Sequence, residues 1–563
     1  MRTFFNQFLV IILLTTTIFV GKSKDPVRAH NGMVVSASDI ASLVGVEILK
    51  KGGNAVDAAV ATGFALAVTY PQAGNIGGGG FMVIHLKDGT NTTIDYREKA
   101  PEAAFRDMFL DENGNYDPNK STKGWASSGV PGSVAGMLTA LEKYGTMSIS
   151  EIIQPAIELA ENGFIIDYRF AEALNETKDE FIQCEATKKI FTKDDELFYE
   201  GELFIQKDLA KTLKAIKFKG IDGFYKGEIA DLIANNSELN NGFISKEDLG
   251  NYKAIERKPV LGNYRGYKIV SMGPPSSGGI ALIESLNSLE NFTFDKKSWA
   301  SSDYIHTVVE VLKHVYADRA EHLGDVDFYP VPQKWLTSKE RSKEIIAQIG
   351  EKAVPSEEIS HTTPHKIESE ETTHYSIIDS YGNAVSVTTT LNSTFGNKIV
   401  VEGAGFIMNN EMDDFSAKPG TPNQFGLLGG EANSIEANKR MLSAMTPTIV
   451  LNSDEKPYLI IGSPGGSTII TTVLQVILNV IDFNMDIQEA IDAPRFHHQW
   501  KPDWIDYEKY GLTTDVSNNL VEKGHFIGKR RILGRAEGII IDYKNNIIWG
   551  ASDPRGYGEA AGY

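Results

Sequence analysis

Thr372 is the residue whose type and position most directly offer chemistry. It lies in Glu371-Thr372-Thr373-His374-Tyr375-Ser376, where a polar run from Glu351 to Glu371 gives way to an alternating strand pattern. Cutting the bond before it would leave a hydroxyl and a free α-amine on one residue, a nucleophile with its own base. The same stretch also reads as an ordinary loop-to-strand junction, because threonine pairs are common in strands. Its surroundings have to decide. Thr373 to Ile378 alternates, Ser380-Tyr381-Gly382-Asn383 turns, and Ala384 to Leu391 returns as a second strand. With the turn centred between Tyr381 and Gly382, Thr372 faces Leu391. Thr390 and Asn392 are then its diagonal neighbours, at roughly 5–8 Å.

A second candidate is Gly462-Ser463-Pro464-Gly465-Gly466-Ser467, between the hairpin Thr448–Leu451/Tyr458–Ile461 and an apolar helix from Thr468 to about Ile481. Strand, glycines and helix N-terminus in that order present bare backbone N–H groups to an anion. The alternative is a plain strand-helix turn with Ser467 as N-cap. No lysine follows as in a phosphate loop, so an oxyanion site is the functional reading. His497-His498 suggests a metal only weakly. Adjacent histidines on one segment do not share a face, and no Asp or Cys sits at ligand spacing, so no metal and no cofactor is expected.

The elements that must position these residues follow the chain. Ser36-Ala37-Ser38-Asp39 caps a helix stopped by Gly52-Gly53, and Asn54 opens a second, wholly apolar helix toward Tyr70-Pro71. Gly74 to Gly80 precedes the strand Phe81 to Leu86, the wrong order for a phosphate loop; the glycines instead allow close backbone approach. The next strand, Thr92 to Tyr96, ends at Arg97, which reads either as a ligand-binding cation or as a salt bridge to Glu98 or Asp95. Met147 to Glu351 reads mainly as helices, with Met272 to Gly279 as a packed turn, and Ala353 to Glu371 as a linker. A closing hairpin, Gly538–Tyr543 and Ile547–Ala551, adds strands. The class is layered, with helices at both ends and antiparallel hairpins between.

The chain has 563 residues, 42% of them hydrophobic and 23% charged, an ordinary globular composition. A net charge of −19 argues against nucleic acid or an anionic membrane as partner. Met1-Arg2, the uncharged run Phe8 to Val20 and the polar Lys22-Ser23-Lys24-Asp25-Pro26 have the layout of a secretory signal peptide, about residues 1–24, so export to a periplasm or the extracellular space is expected. No other segment is long and apolar enough to span a bilayer. The single cysteine, Cys184, forms no intramolecular disulfide, and a sizeable core must do that work.

Seven motifs in order resemble those of the γ-glutamyltransferases. They are Gly74 to Phe81, Tyr96-Arg97-Glu98, Trp125 to Gly132, Thr372 to Ser376, Met412-Asp413-Asp414-Phe415, Gly462 to Ser467 and Ala493 to Trp500. The resemblance runs from about Val34 to Tyr563. It implies an α+β fold, the four-layer αββα sandwich of the N-terminal-nucleophile hydrolases. It also implies a precursor cut between Glu371 and Thr372 into a large subunit (25–371) and a small one (372–563), interwoven in one domain as a heterodimer. Thr372 would take a γ-glutamyl group from compounds such as glutathione and pass it to water, an amino acid or a dipeptide. Thr390 would position it, and Gly465 and Gly466 would hold the oxyanion. Arg97 and Ser443 would bind the substrate carboxylate, and Asn392, Glu411 and Asp414 its ammonium group.

Two departures bear on the pocket. Met441-Leu442-Ser443-Ala444-Met445 has Ala444 where the family usually has a second serine. A hydrogen bond to a charged group is worth roughly 1.5–3 kcal/mol, so affinity is expected to fall. The segment Pro419 to Gly430 matches the family's lid but carries Phe425 where several bacterial members have tyrosine, and a more readily opened lid is expected. Relatives of the same fold act on glutaryl or cephalosporin side chains or on poly-γ-glutamate, and these remain alternatives. An uncleaved binding or surface protein is the reading from another class. It is separated by whether any chain of the mature protein begins at Thr372.

Overall fold

The computed structural model describes residues 24–193, 196–359 and 372–563. The expected signal segment and Glu371 therefore lie outside the described residues. Two antiparallel seven-stranded sheets stack face to face. Their strands, in chain order, are β1 (Val27–Ala29), β2 (Met33–Ser36), β3 (Gly79–His85), β4 (Asn91–Asp95), β5 (Ile255–Arg257), β6 (Val260–Tyr264) and β7 (Tyr267–Ser271). They continue with β8 (Thr373–Ile378), β9 (Ala384–Thr390), β10 (Thr448–Leu451), β11 (Pro457–Gly462), β12 (Glu537–Asp542), β13 (Ile547–Ser552) and β14 (Glu559–Gly562). One sheet runs β14-β2-β8-β9-β3-β4-β5 and the other β1-β13-β12-β11-β10-β7-β6.

Burial of both faces explains why these strands carry so few polar alternations. Val35, Phe81, Val83, Ile449, Ile460 and Ile539 fill the layer between the sheets. Their sequence neighbours Val34, Met82 and Ile84 face the helices on the first sheet's outer side, as the two-residue strand period requires. Helices α1 (Asp39–Lys50) and α2 (Ala55–Thr69) cover that side. Every residue of α2 is buried, and its N-terminus is closed by a capping box in which the Asn54 side chain accepts two N–H groups and the Asp57 carboxylate accepts the Asn54 N–H. On the second sheet's outer side lie α3 (Gly278–Leu289) and α5 (Ile469–Ile481), with α4 (Ser302–His322) packed on α3. The result is four layers, αββα.

The helical stretch expected from Met147 to Glu351 also contains the strands β5, β6 and β7. β6 and β7 form a local hairpin across Arg265-Gly266, but the other partner of β7 is β10 and β5 pairs with β4, both far away in sequence. Local pattern does not reveal that kind of pairing, and β6 and β5 are half-exposed edge strands without a clean apolar run. No helix among the described residues is long and apolar enough to cross a membrane.

Candidate active site

Thr372 stands at the mouth of β8, the third strand in its sheet, held between β2 and β9. The register differs by one residue from the expected one. Thr373 pairs with Thr389 and Ile378 with Ala384, so the turn is five residues long, 379–383. Asp379 makes it so. Its Oδ1 accepts the N–H groups of Tyr381 (2.8 Å) and Asn383 (2.9 Å), an Asx turn that the Tyr381-Gly382 pair alone does not announce. Extended by one step, this register sets Thr372 across from Thr390 itself rather than diagonal to it. The two hydroxyl oxygens are 3.4 Å apart, and both residues are buried.

Thr390 is fixed from several sides. Its Oγ1 accepts the N–H of Asn392 at 2.8 Å, and its carbonyl accepts the side-chain amide of Asn75 at 2.8 Å. The Gly74–Gly80 run is what brings β3 and its loop this close. A Cβ on Gly78 would sit 2.1 Å from the Thr390 carbonyl oxygen. Asn392 is in the left-handed region, φ 77°, where asparagine is tolerated, and its amide donates to Asn410 O at 2.9 Å.

The turn after β11 carries Gly465 (φ 134°) and Gly466 (φ 51°), followed by a single 3-10 turn, Gly466–Thr468, that runs into α5. Thr468, not Ser467, anchors it, with its N–H and its hydroxyl both on the Gly465 carbonyl at 2.8 Å. Gly466 lines the same cavity as Thr372, and Gly465 is the residue just before it in the turn. A side chain at Gly466 would meet the Phe425 ring at 2.8 Å.

Around this point gathers a buried set of charges. Arg97 donates to Glu411 and Asp414, lies 3.6 Å from Glu98 and gives its Nε to Met441 O at 3.2 Å. Of the two readings of Arg97, ion pairing with Glu98 is present but secondary, while Asp95 accepts only the Arg97 backbone N–H and pairs with Arg257. Burial outweighs the guanidinium for the acids: Glu98 is pushed up to about 7 and Glu411 is raised, both further by neighbouring carboxylates, while Asp414 is raised by burial against the pull of Arg97 and Arg319. Asp413 points the other way, accepting Tyr116 and Ser121 hydroxyls at 2.6 Å and the Gln424 N–H at 3.1 Å.

Ser443 and Ala444 line the cavity. The Met272–Gly279 turn proves to be their mount: Ser443 O accepts the Ser277 N–H (2.8 Å) and hydroxyl (2.6 Å), and the Ser443 N–H donates to Pro275 O. The segment 419–430, expected to be a lid, is well anchored. Asn423 donates to Asp414 (3.0 Å), Ser393 to Gln424 (2.9 Å) and Gln499 to Gly426 O (3.1 Å). Phe425 is buried in the apolar cluster of the second sheet's outer side, so packing against Gly466 stands where a tyrosine hydroxyl would have made a hydrogen bond.

The lining also includes Arg319 of α4, which belongs to none of the sequence motifs. A signal existed: Arg319 falls at helical spacing from the buried Leu312, Val315 and Tyr316, a charge on a core face. The two histidines diverge as expected. His497 contacts Thr471 and Gln499, but His498 contacts Asp503 at 3.1 Å, contrary to the expectation that no Asp sits at ligand spacing. A different group, His306, Glu310 and His525, has the spacing of metal ligands, but the Lys313 ammonium already sits 2.8 Å from Glu310 and supplies the positive charge there.

Comparison with known proteins decides the family. The gamma-glutamyltranspeptidase family model matches residues 41–563. The chain belongs to that family. It is 51% identical over 541 residues, 96% of its length and 93% of the relative's, to the glutathione hydrolase proenzyme of Escherichia coli. Among solved structures it is similar to Helicobacter pylori gamma-glutamyltranspeptidase, at 49% identity over 60% of this chain and 96% of that one, with a TM-score of 0.57. Cephalosporin acylase from Bacillus halodurans shares the whole architecture, at 26% identity, 98% and 99% coverage and a TM-score of 0.85. The fold of this gamma-glutamyltranspeptidase family member is thus the N-terminal-nucleophile hydrolase sandwich expected from its motifs.

Proposed function

We propose that the chain is an exported precursor that cuts itself before Thr372 and then hydrolyses or transfers γ-glutamyl groups, glutathione among its donors. The observation that carries the reading is one cavity lined by Thr372, Thr390, Gly466 and the Arg97–Glu411–Asp414 set. In the precursor, Thr372 Oγ attacks the Glu371 carbonyl. The peptide C–N bond breaks, the hydroxyl proton passes to the new α-amine, and water hydrolyses the resulting ester. The freed α-amine, with a reference pKa near 8, then takes the Oγ proton as Thr372 attacks a γ-amide. Thr390 orients Oγ, and Gly465 and Gly466 carry the N–H groups for the oxyanion. The departing amine leaves with that proton, and water or an acceptor amine resolves the acyl-enzyme.

The substrate's α-ammonium meets Asn392, Glu411 and Asp414, and its α-carboxylate meets Arg97 and Ser443. Buried carboxylates at an ammonium site favour donors that retain the α-amino group. They weigh against the second reading, a glutaryl or cephalosporin acylase, which the Ala444 methyl and the acylase relative support. Denaturing electrophoresis with N-terminal sequencing and anilide assays tests both. A chain beginning at Thr372 and faster release from γ-glutamyl than from glutaryl anilide is expected. A single uncut chain in active protein would overturn the mechanism.

A further inference from the structure

Arg319 is a buried cation with no ion-pair partner within 4 Å among the described residues; the acid that acts on it, at longer range, is Asp414, which is already paired with Arg97. It is 5% exposed, and its Nε donates to Ser277 Oγ at 3.0 Å. Among the described residues no carboxylate lies within 4 Å of its guanidinium, and neither Nη makes a hydrogen bond. Burying an ion in this way costs several kcal/mol unless something compensates it. Burial also pulls its pKa below the usual arginine value. Its side chain lines the cavity of Thr372, Ser443, Ala444 and Gly466.

Arg97 is in the opposite condition. Its Nη1 is taken by Glu411, its Nη2 by Asp414 and Leu442 O, and its Nε by Met441 O. Both fork faces are occupied, so a carboxylate reaching Arg97 has to displace one of these. The third group expected to hold that carboxylate, a hydroxyl at position 444, is a methyl here. A planar guanidinium with two free Nη donors fits a carboxylate in two parallel bonds. The same Ser277 that holds Arg319 also holds the Ser443 carbonyl, so Arg319 and Ser443 share one mount.

We propose that Arg319 is the free guanidinium of the carboxylate subsite, binding the α-carboxylate of the donor on the side where Ala444 leaves a hydroxyl out. The assignment rests on the γ-glutamyl reading above. It makes Arg319 a specificity residue, acting on any donor with a carboxylate at that carbon and on none without.

Three anilides of one acyl length separate the contributions. They are γ-glutamyl, glutaryl (α-amine removed) and 4-aminobutanoyl (α-carboxylate removed). In processed protein, Arg319→Gln is expected to raise KM for the first two roughly 10- to 100-fold and leave KM for 4-aminobutanoyl anilide unchanged. Arg319→Lys is expected to recover part of the loss. Equal losses on all three donors, or none on any, would overturn the proposal. So would failure of both variants to yield a chain beginning at Thr372, which would make Arg319 part of the scaffold. A wild-type protein that is cut at Thr372 yet ignores γ-glutamyl anilide would instead sink the functional reading and leave this one without a substrate.

Discussion

At the scale of single residues, the two neighbouring acids Asp413 and Asp414 show how the backbone divides labour. Asp414 reaches the cavity and Arg97, while Asp413 ties Tyr116, Ser121 and the lid's Gln424 together. Asp414→Asn is therefore expected to raise KM for a γ-glutamyl anilide about tenfold or more, by loss of a charged hydrogen bond. Asp413→Asn is expected to lower Tm by a few degrees with a smaller change in KM. Thermal denaturation and steady-state kinetics on both variants check the split. Thr390→Ala is expected to slow appearance of the Thr372 chain about a hundredfold, with Thr390→Ser largely restoring it, in a time course of precursor cleavage. Most of these residues were legible in the sequence because their motifs are local. Arg319 was not, because its meaning depends on what packs around α4 rather than on its neighbours in the chain.

At the scale of elements, the site is built where the start of β8 meets the loops after β4, β9 and β11 beneath the segment 419–430. Gly466 is the hinge of that meeting. With φ of 51° and the Phe425 ring 2.8 Å from where a Cβ would stand, Gly466→Ala is expected to cost about 1–3 kcal/mol and displace the lid. Faster limited proteolysis within 419–430, together with reduced turnover, would report it. Hairpins and apolar helices were readable from period and turn residues. The register of β8 on β9 was not, since a side chain, Asp379, sets the loop length. Nor were β5 and β7, whose pairing with distant strands leaves no trace in local alternation, or β6, a half-exposed edge strand without an apolar run.

At the scale of the whole molecule, the buried acids give stability a pH dependence. Glu98 holds its proton up to about pH 7 in the folded chain and only to its ordinary value when unfolded. The folded state then binds more protons between the two, so stability falls as pH rises from about 4.5 to 7. The fall is expected to be shallower in Glu98→Gln. Tm measured from pH 5 to 8 in both proteins checks the slope. The composition was a fair guide at this scale, for a chain with one cysteine has buried both faces of two sheets.

The place of β8 has one more consequence. It lies inside a sheet, with β2 from before the proposed cut on one edge and β9 from after it on the other, and β14 closes the same sheet beyond β2. Cutting before Thr372 breaks the chain but none of these ladders, so both pieces stay interlocked. Folding, however, begins from one chain and unfolding would end with two. Once cut, the molecule has lost the short tether that brought the pieces together, and reassembly becomes a bimolecular event. Its durability is then a matter of how slowly it opens rather than of an equilibrium it can revisit. Maturation doubles as a ratchet: uncut precursor should refold after dilution from denaturant, and the mature enzyme should not.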